Sequence, residues 1–233
     1  RLIGTGPLYR LAAVGLALFL SLAAINQFRA AVDGWDLAHY VSAKWWGRPA
    51  PPLPPNIEEW QPAIDDGRLW SSYGQAYLDW AALQPQGERD TALREVERVL
   101  VHALNLVPAQ PAAWARLALV RLNLGDEAGA RHATAMSYRT GPRAIGVAWL
   151  RSRLALWLWP SLDAEMRMLA GADFGRTWQR KPAASLLYPK AALVRFAHGL
   201  GRIDAIRQAL PLAERANLQI HIDAILLEAA HAS

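Results

Sequence analysis

The chain of 233 residues contains no cysteine, which excludes disulfides, thiolate zinc sites and a cysteine nucleophile, and is compatible with any redox compartment. Lysine is nearly missing as well. The 25 basic residues are almost all arginine and, against 20 acidic residues, leave a net charge of +5. No block of like charge and no basic stripe with interleaved aromatics occurs, so no nucleic-acid partner is expected. Charged residues amount to 19% and hydrophobic residues to 53%, which argues against disorder and for a sizeable core.

Signatures of catalysis are missing too. No two of the histidines His39, His102, His132, His198, His221 and His231 sit one helical turn apart beside a carboxylate, as a zinc-protease site needs. There is no Gly-x-Ser-x-Gly elbow and no glycine loop with a lysine to cradle phosphate. Glu58-Glu59 and Asp65-Asp66 are adjacent pairs that point to different sides of a helix, and His221 and Asp223 are two apart, so they do not face each other. The expectation is a non-catalytic protein with no cofactor, no metal and no identified small-molecule substrate. An enzyme whose site assembles from scattered residues is the second alternative.

What is present begins with a long apolar run. Leu11 to Phe28 carries no formal charge, and eighteen residues at the helical rise span about 27 Å, close to the hydrocarbon thickness of a bilayer. Arg10 and Arg29 bracket the run, where long side chains reach headgroups. No small-x-small cleavage site follows it, which favours a retained anchor over a cleaved leader. Arginine and lysine are nearly balanced on its two sides, so orientation rests on the tendency of short N-termini to stay cytoplasmic. That places the main domain in the periplasm of a bacterial inner membrane, on a single-pass anchor.

In the next segment Leu37, Ala38, Val41 and Trp45 recur at helical spacing, and Trp35, Trp45 and Trp46 suit a membrane interface. A helix packed on the later domain, or against another membrane subunit, explains them equally. GRPAPPLPPN, residues 47–56, holds five prolines and reads as a semi-rigid linker. The expected organisation is thus an anchor over 1–30, an interfacial helix and linker over 31–56, and a helical domain over 57–231.

Beyond Asn56, helices are expected near 57–65, 67–83, 88–106, 111–124, 126–139, 144–158, 161–170, 184–199, 202–215 and 217–231. Proline and glycine punctuate most of their boundaries, and no alternating hairpin pattern appears. The fold class is therefore all-α. Within it, 111–144 places Trp114, Leu117 and Ala118 on one helix, Gly125-Asp126 at a turn, Ala130 on the next helix and Pro142 at its close. This resembles a tetratricopeptide repeat (TPR), with Arg121 where the family has tyrosine. Trp70, Tyr73, Gly74 and Tyr77 resemble a preceding first helix, although that unit is about ten residues too long. The likeness thins after 144.

The TPR-like resemblance implies a solenoid of helical hairpins with a partner-binding groove lined by first helices. It would bring Ser71, Gln75 and Asp79 to that groove from one unit, and Ala115, Leu119, Leu122 and Asn123 from the next. Trp159 is a further expected partner contact, since Leu150, Leu154 and Trp157 are expected to line the core. These readings suggest a membrane-anchored scaffold, an accessory or assembly subunit of a larger complex, whose partners are other membrane-complex subunits and the lipid bilayer. A cleaved, soluble periplasmic peptide-binding or chaperone protein is the alternative.

Overall fold

The computed structural model describes residues 6–46, 48–179, 189–210 and 212–231, and every regular element among them is helical, with no strand. The α-helices are α1 (Gly6–Asp33), α2 (Trp35–Trp46), α3 (Gly67–Ala81), α4 (Gln86–Leu106), α5 (Pro111–Asn123), α6 (Glu127–Thr140), α7 (Ala148–Leu158), α8 (Ala164–Gln179), α9 (Pro189–Gly199), α10 (Ile203–Ala209) and α11 (Leu212–His231).

The local signals explain these elements. Pro111 opens α5 at its first turn, where a missing amide costs nothing. Gly125 turns the chain at φ 82°, a conformation that a β-carbon disfavours, and the Asp126 side chain then accepts from the Gly129 N–H at 2.8 Å to cap α6. Asp66 caps α3 in the same way, accepting from the amides of Arg68 and Leu69. Ala118 and Ala130 are fully buried, so α5 and α6 approach closely. Gly74 does this for α3 and α4: a β-carbon there would lie 2.6 Å from Leu100 Cδ2.

The helices pair as α3 with α4, α5 with α6, α7 with α8 and α9 with α10, and the first helices also touch in the order α3, α5, α7, α9, α11. Buried residues accordingly form three clusters along the array rather than one centre. Such stacking makes stability a sum of neighbour contacts.

Several expectations change. Residues 57–65 form only a short 3-10 turn, Ile57–Trp60, where the Asn56 side chain accepts from the Glu58 amide. The helix expected over 161–170 continues to Gln179, because Gly171 lies inside it and lets Ala209 of α10 pack within 3.3 Å of a β-carbon position. The helix expected over 202–215 stops at Ala209. Part of the one expected over 184–199 lies outside the described residues.

Helix α2 packs against α3 and buries Leu37, Tyr40 and Ala43. Leu37 and Tyr40 join Ile57, Trp70, Tyr73 and Ala76 in one cluster, against which Ala50 and Leu53 of the proline-rich segment also pack. Trp80 Nε1 donates to the Pro55 carbonyl at 3.3 Å, so the linker is fastened along α3 rather than running free as a spacer. Trp35 is 71% exposed.

Among the described residues, no helix is long and apolar enough to cross a membrane. The described side chains of α1 run from Leu11 to Ile25, about 22 Å of helix, and every one of them is exposed. The side chains of Arg10, Arg29, Trp45 and Trp46 lie outside the described residues.

Candidate functional site: the open face of the first-helix row

Each first helix buries one side against its hairpin partner and flanking helices and leaves a stripe uncovered. On α3 that stripe carries Arg68, Ser72, Gln75 and Asp79, at successive helical turns. On α5 it carries Ala112, Arg116, Leu119 and Asn123 at the same spacing, and on α7 Leu150, Arg153 and Trp157.

A hydrogen-bonded network ties α2, α3 and α5 together on this face. Arg116 Nε donates to Gln75 Oε1 at 2.5 Å and Nη1 donates to Ser71 Oγ at 3.2 Å. Gln75 Nε2 donates to Asp79 Oδ1 at 3.1 Å. The other Asp79 oxygen accepts from the Tyr40 hydroxyl at 2.8 Å and pairs with Lys44 Nζ at 3.4 Å. Burial, then the hydrogen bond to Asp79 and its charge, push the Tyr40 phenol up, so it remains a donor. Burial pushes Arg116 down to about 10, and the charge of Asp79 offsets part of that. Arg116 is therefore a cation at neutral pH, in contact with neutral groups and with no carboxylate at ion-pair distance among the described residues.

Farther along the row, the guanidinium of Arg153 lies 4.7 Å from the Phe196 ring centre, and Trp157 packs against the same ring at 6.3 Å. This makes a cation and two aromatic rings neighbours between α7 and α9.

Behind the face lies a second polar group with a structural role. Arg151 and Asp173 are both fully buried and paired, and Arg176 also donates to Asp173. Arg151 Nη1 donates to the carbonyls of Ser137 and Gly141, at the C-terminal end of α6, and the guanidinium stacks 4.4 Å from the Tyr138 ring. A cation there satisfies carbonyls that the helix leaves open. Burial raises the Asp173 carboxyl even against its two arginines.

Between α6 and α8, on the second-helix side, is a cleft of about 300 Å³ with Arg131, His132, Asp163 and Met166 on its walls. Asp163 is already engaged there, accepting from the Met166 amide. Among the described residues, no three His, Asp or Glu side chains gather as metal ligands would.

The expected partner residues fall unevenly. Gln75 and Asp79 reach the open face and are half-buried, while Ser71 is buried and serves Arg116. Ala115 is fully buried. Leu119 and Leu122 are half-buried, and Asn123 is exposed, its amide donating to the Leu119 carbonyl. The order of the α7 tryptophans is the reverse of the one expected. Trp157 is 47% exposed, whereas Trp159 is half-buried, 6.0 Å from the Phe174 ring with Arg167 over it. The extra residues before α8 fold into a 3-10 turn, Trp159–Ser161, that swings Trp159 inward.

Arg116 is not among the expected site residues. The signal for Arg116 was in its spacing: it precedes Leu119 by three positions and Asn123 by seven, so all three share a stripe. No family model matches this chain, and neither any curated protein nor any solved structure matches it.

Proposed function

We propose that this chain is a non-catalytic, membrane-anchored scaffold, built from TPR-like helical hairpins, that holds partner proteins of a larger bacterial inner-membrane complex. The observation that carries the reading is α1, which leaves Leu11, Val14, Leu16, Leu18, Phe19 and Leu22 each more than half exposed. An uncovered apolar helix of this kind is costly in water and favourable in lipid. Its apolar run continues in the sequence to Phe28. Behind it, stacked hairpins offer an extended face without convergent acid–base pairs, which suits protein binding. Tethering restricts the domain to two dimensions and raises its effective concentration near neighbours in the membrane.

Two measurements test this. The full chain floats with membranes after carbonate washing, and a variant lacking residues 6–33 does not. Purification in mild detergent recovers a stoichiometric companion polypeptide. Release by carbonate, or recovery of this chain alone, overturns the proposal.

A further inference from the structure

The cleft of about 300 Å³ lies between two helices that do not pack along each other. Helix α6 packs against α5 and α7, and α8 against α7, α9 and α10. On the α6 side, Ala128, Arg131, His132 and Ala135 recur at three and four residues and so share one face. The two alanines end at the β-carbon, which leaves room between the helices. On the other side stand Leu162, Asp163 and Met166, at and just before the start of α8. Leu162 and Met166 are buried in the large core cluster, and Ala135 packs against it. The inner wall is thus apolar, while Arg131, His132 and Asp163 are exposed at the rim.

The rim groups are not paired with one another. Asp163 Oδ1 accepts from the Met166 amide at 2.8 Å and caps α8, and Oδ2 has no hydrogen-bond partner among the described residues. Arg131 makes no hydrogen bond or ion pair among the described residues, although Asp163 lines the same cleft. His132 meets the Trp114 ring edge-on at 6.3 Å, and neither of its ring nitrogens is hydrogen-bonded among the described residues. A guanidinium and an imidazole on one wall therefore stand across from a carboxylate on the other, above an apolar surface.

We propose that this cleft binds a free α-amino acid with an apolar side chain, its carboxylate on Arg131 and His132, its ammonium on Asp163 and its side chain on Leu162 and Met166. A ligand with both charges and an apolar body engages every wall at once. A simple anion would meet the Asp163 charge, and a metal ion would find one carboxylate, one imidazole and a repelling guanidinium. The inference goes beyond the scaffold reading, since it needs neither α1 nor a partner protein, and its failure leaves that reading as it stands.

The test is calorimetric titration of the full chain in mild detergent with L-leucine, leucinamide, which lacks the carboxylate, and 4-methylpentanoate, which lacks the ammonium. Leucine binds saturably, and each analogue binds about tenfold more weakly, the loss of one charge-assisted contact. Arg131→Gln weakens leucine binding about tenfold and removes the preference over leucinamide. Asp163→Asn removes the preference over 4-methylpentanoate. Asparagine caps a helix as well as aspartate does, and Arg131 has no polar partner among the described residues, so both variants keep the fold. A selective loss of one preference is also not something that unfolding produces. No saturable heat with leucine, an analogue bound as tightly as leucine by the native chain, or an unchanged preference in either variant overturns the proposal.

Discussion

Arg151 and Asp173 form an ion pair in which neither side chain is exposed, with Nε 2.7 Å from Oδ2 and Nη2 3.3 Å from Oδ1. Through the Ser137, Gly141 and Ala144 carbonyls, the same guanidinium joins the end of α6 to the start of α7, and through Asp173 it reaches α8. It pins the middle of the array. Removing Asp173 leaves the buried Arg151 charge without a carboxylate, and removing Arg151 leaves Asp173 only the half-buried Arg176, so Asp173→Leu or Arg151→Met costs about 3–5 kcal/mol. The double variant costs less than the two single losses added, because neither charge is then stranded. Urea denaturation of the four proteins measures this, and additive losses contradict it.

Gly74 and Gly125 are sensitive for different reasons. A methyl group at Gly74 meets buried Leu100 in the α3–α4 contact, so Gly74→Ala loses about 1–3 kcal/mol by overpacking. Gly125 faces open space but holds φ at 82°, so Gly125→Ala loses about 1 kcal/mol through backbone strain alone. Thermal unfolding of the two variants separates them, and a conservative second change, Leu100→Val, rescues G74A only.

Tyr40 tests whether α2 is part of the array. Tyr40→Phe keeps the ring against Trp60, 5.5 Å away, and removes only the hydroxyl given to Asp79. A loss of about 1 kcal/mol is expected, together with faster amide hydrogen exchange along α2. Exchange in α2 of the native chain as fast as in an unfolded peptide is the contrary result.

His221 stands edge-on to Trp178, 5.6 Å between ring centres, and burial, followed by the charge of Lys190, lowers its pKa below the ordinary 6.5. The folded state therefore binds this proton less readily than the unfolded chain. Its stability contribution is complete above about pH 6.5 and is lost as pH falls through that value toward the lowered one. Melting temperature between about pH 7.5 and 5.5 falls more steeply for the native chain than for His221→Gln, and parallel slopes refute the assignment.

Local chemistry made the helices legible. Proline at Pro111, the Gly125-Asp126 turn and the small residues Ala118 and Ala130 are short-range signals, and they act through capping, backbone freedom and close approach between neighbours in sequence. The expected spans from 67 to 139 accordingly match α3 to α6 within about two residues. The expected helix over 57–65 failed for a reason of the same kind, since Asn56 caps a turn too short to propagate.

The open face was only half legible. Helical period placed Gln75, Asp79, Leu119 and Asn123 on stripes, but period does not say which stripe a distant helix covers. That is why Ser71 proved to be buried beneath Arg116, and why Trp157 and Trp159 exchanged roles once a 3-10 turn rotated the end of α7.

By itself, then, the sequence determined an all-α chain of short hairpins behind a long apolar run, because caps, breakers and apolar spacing act over a few residues. Only the tertiary structure decided that α2 and the proline-rich segment lie along α3, and that Arg151 is buried with Asp173 while Arg153 has no carboxylate at ion-pair distance among the described residues. Those outcomes depend on which surfaces meet across 20 or more residues of chain, and a side chain's burial and charge balance belong to that meeting rather than to its own neighbours in sequence.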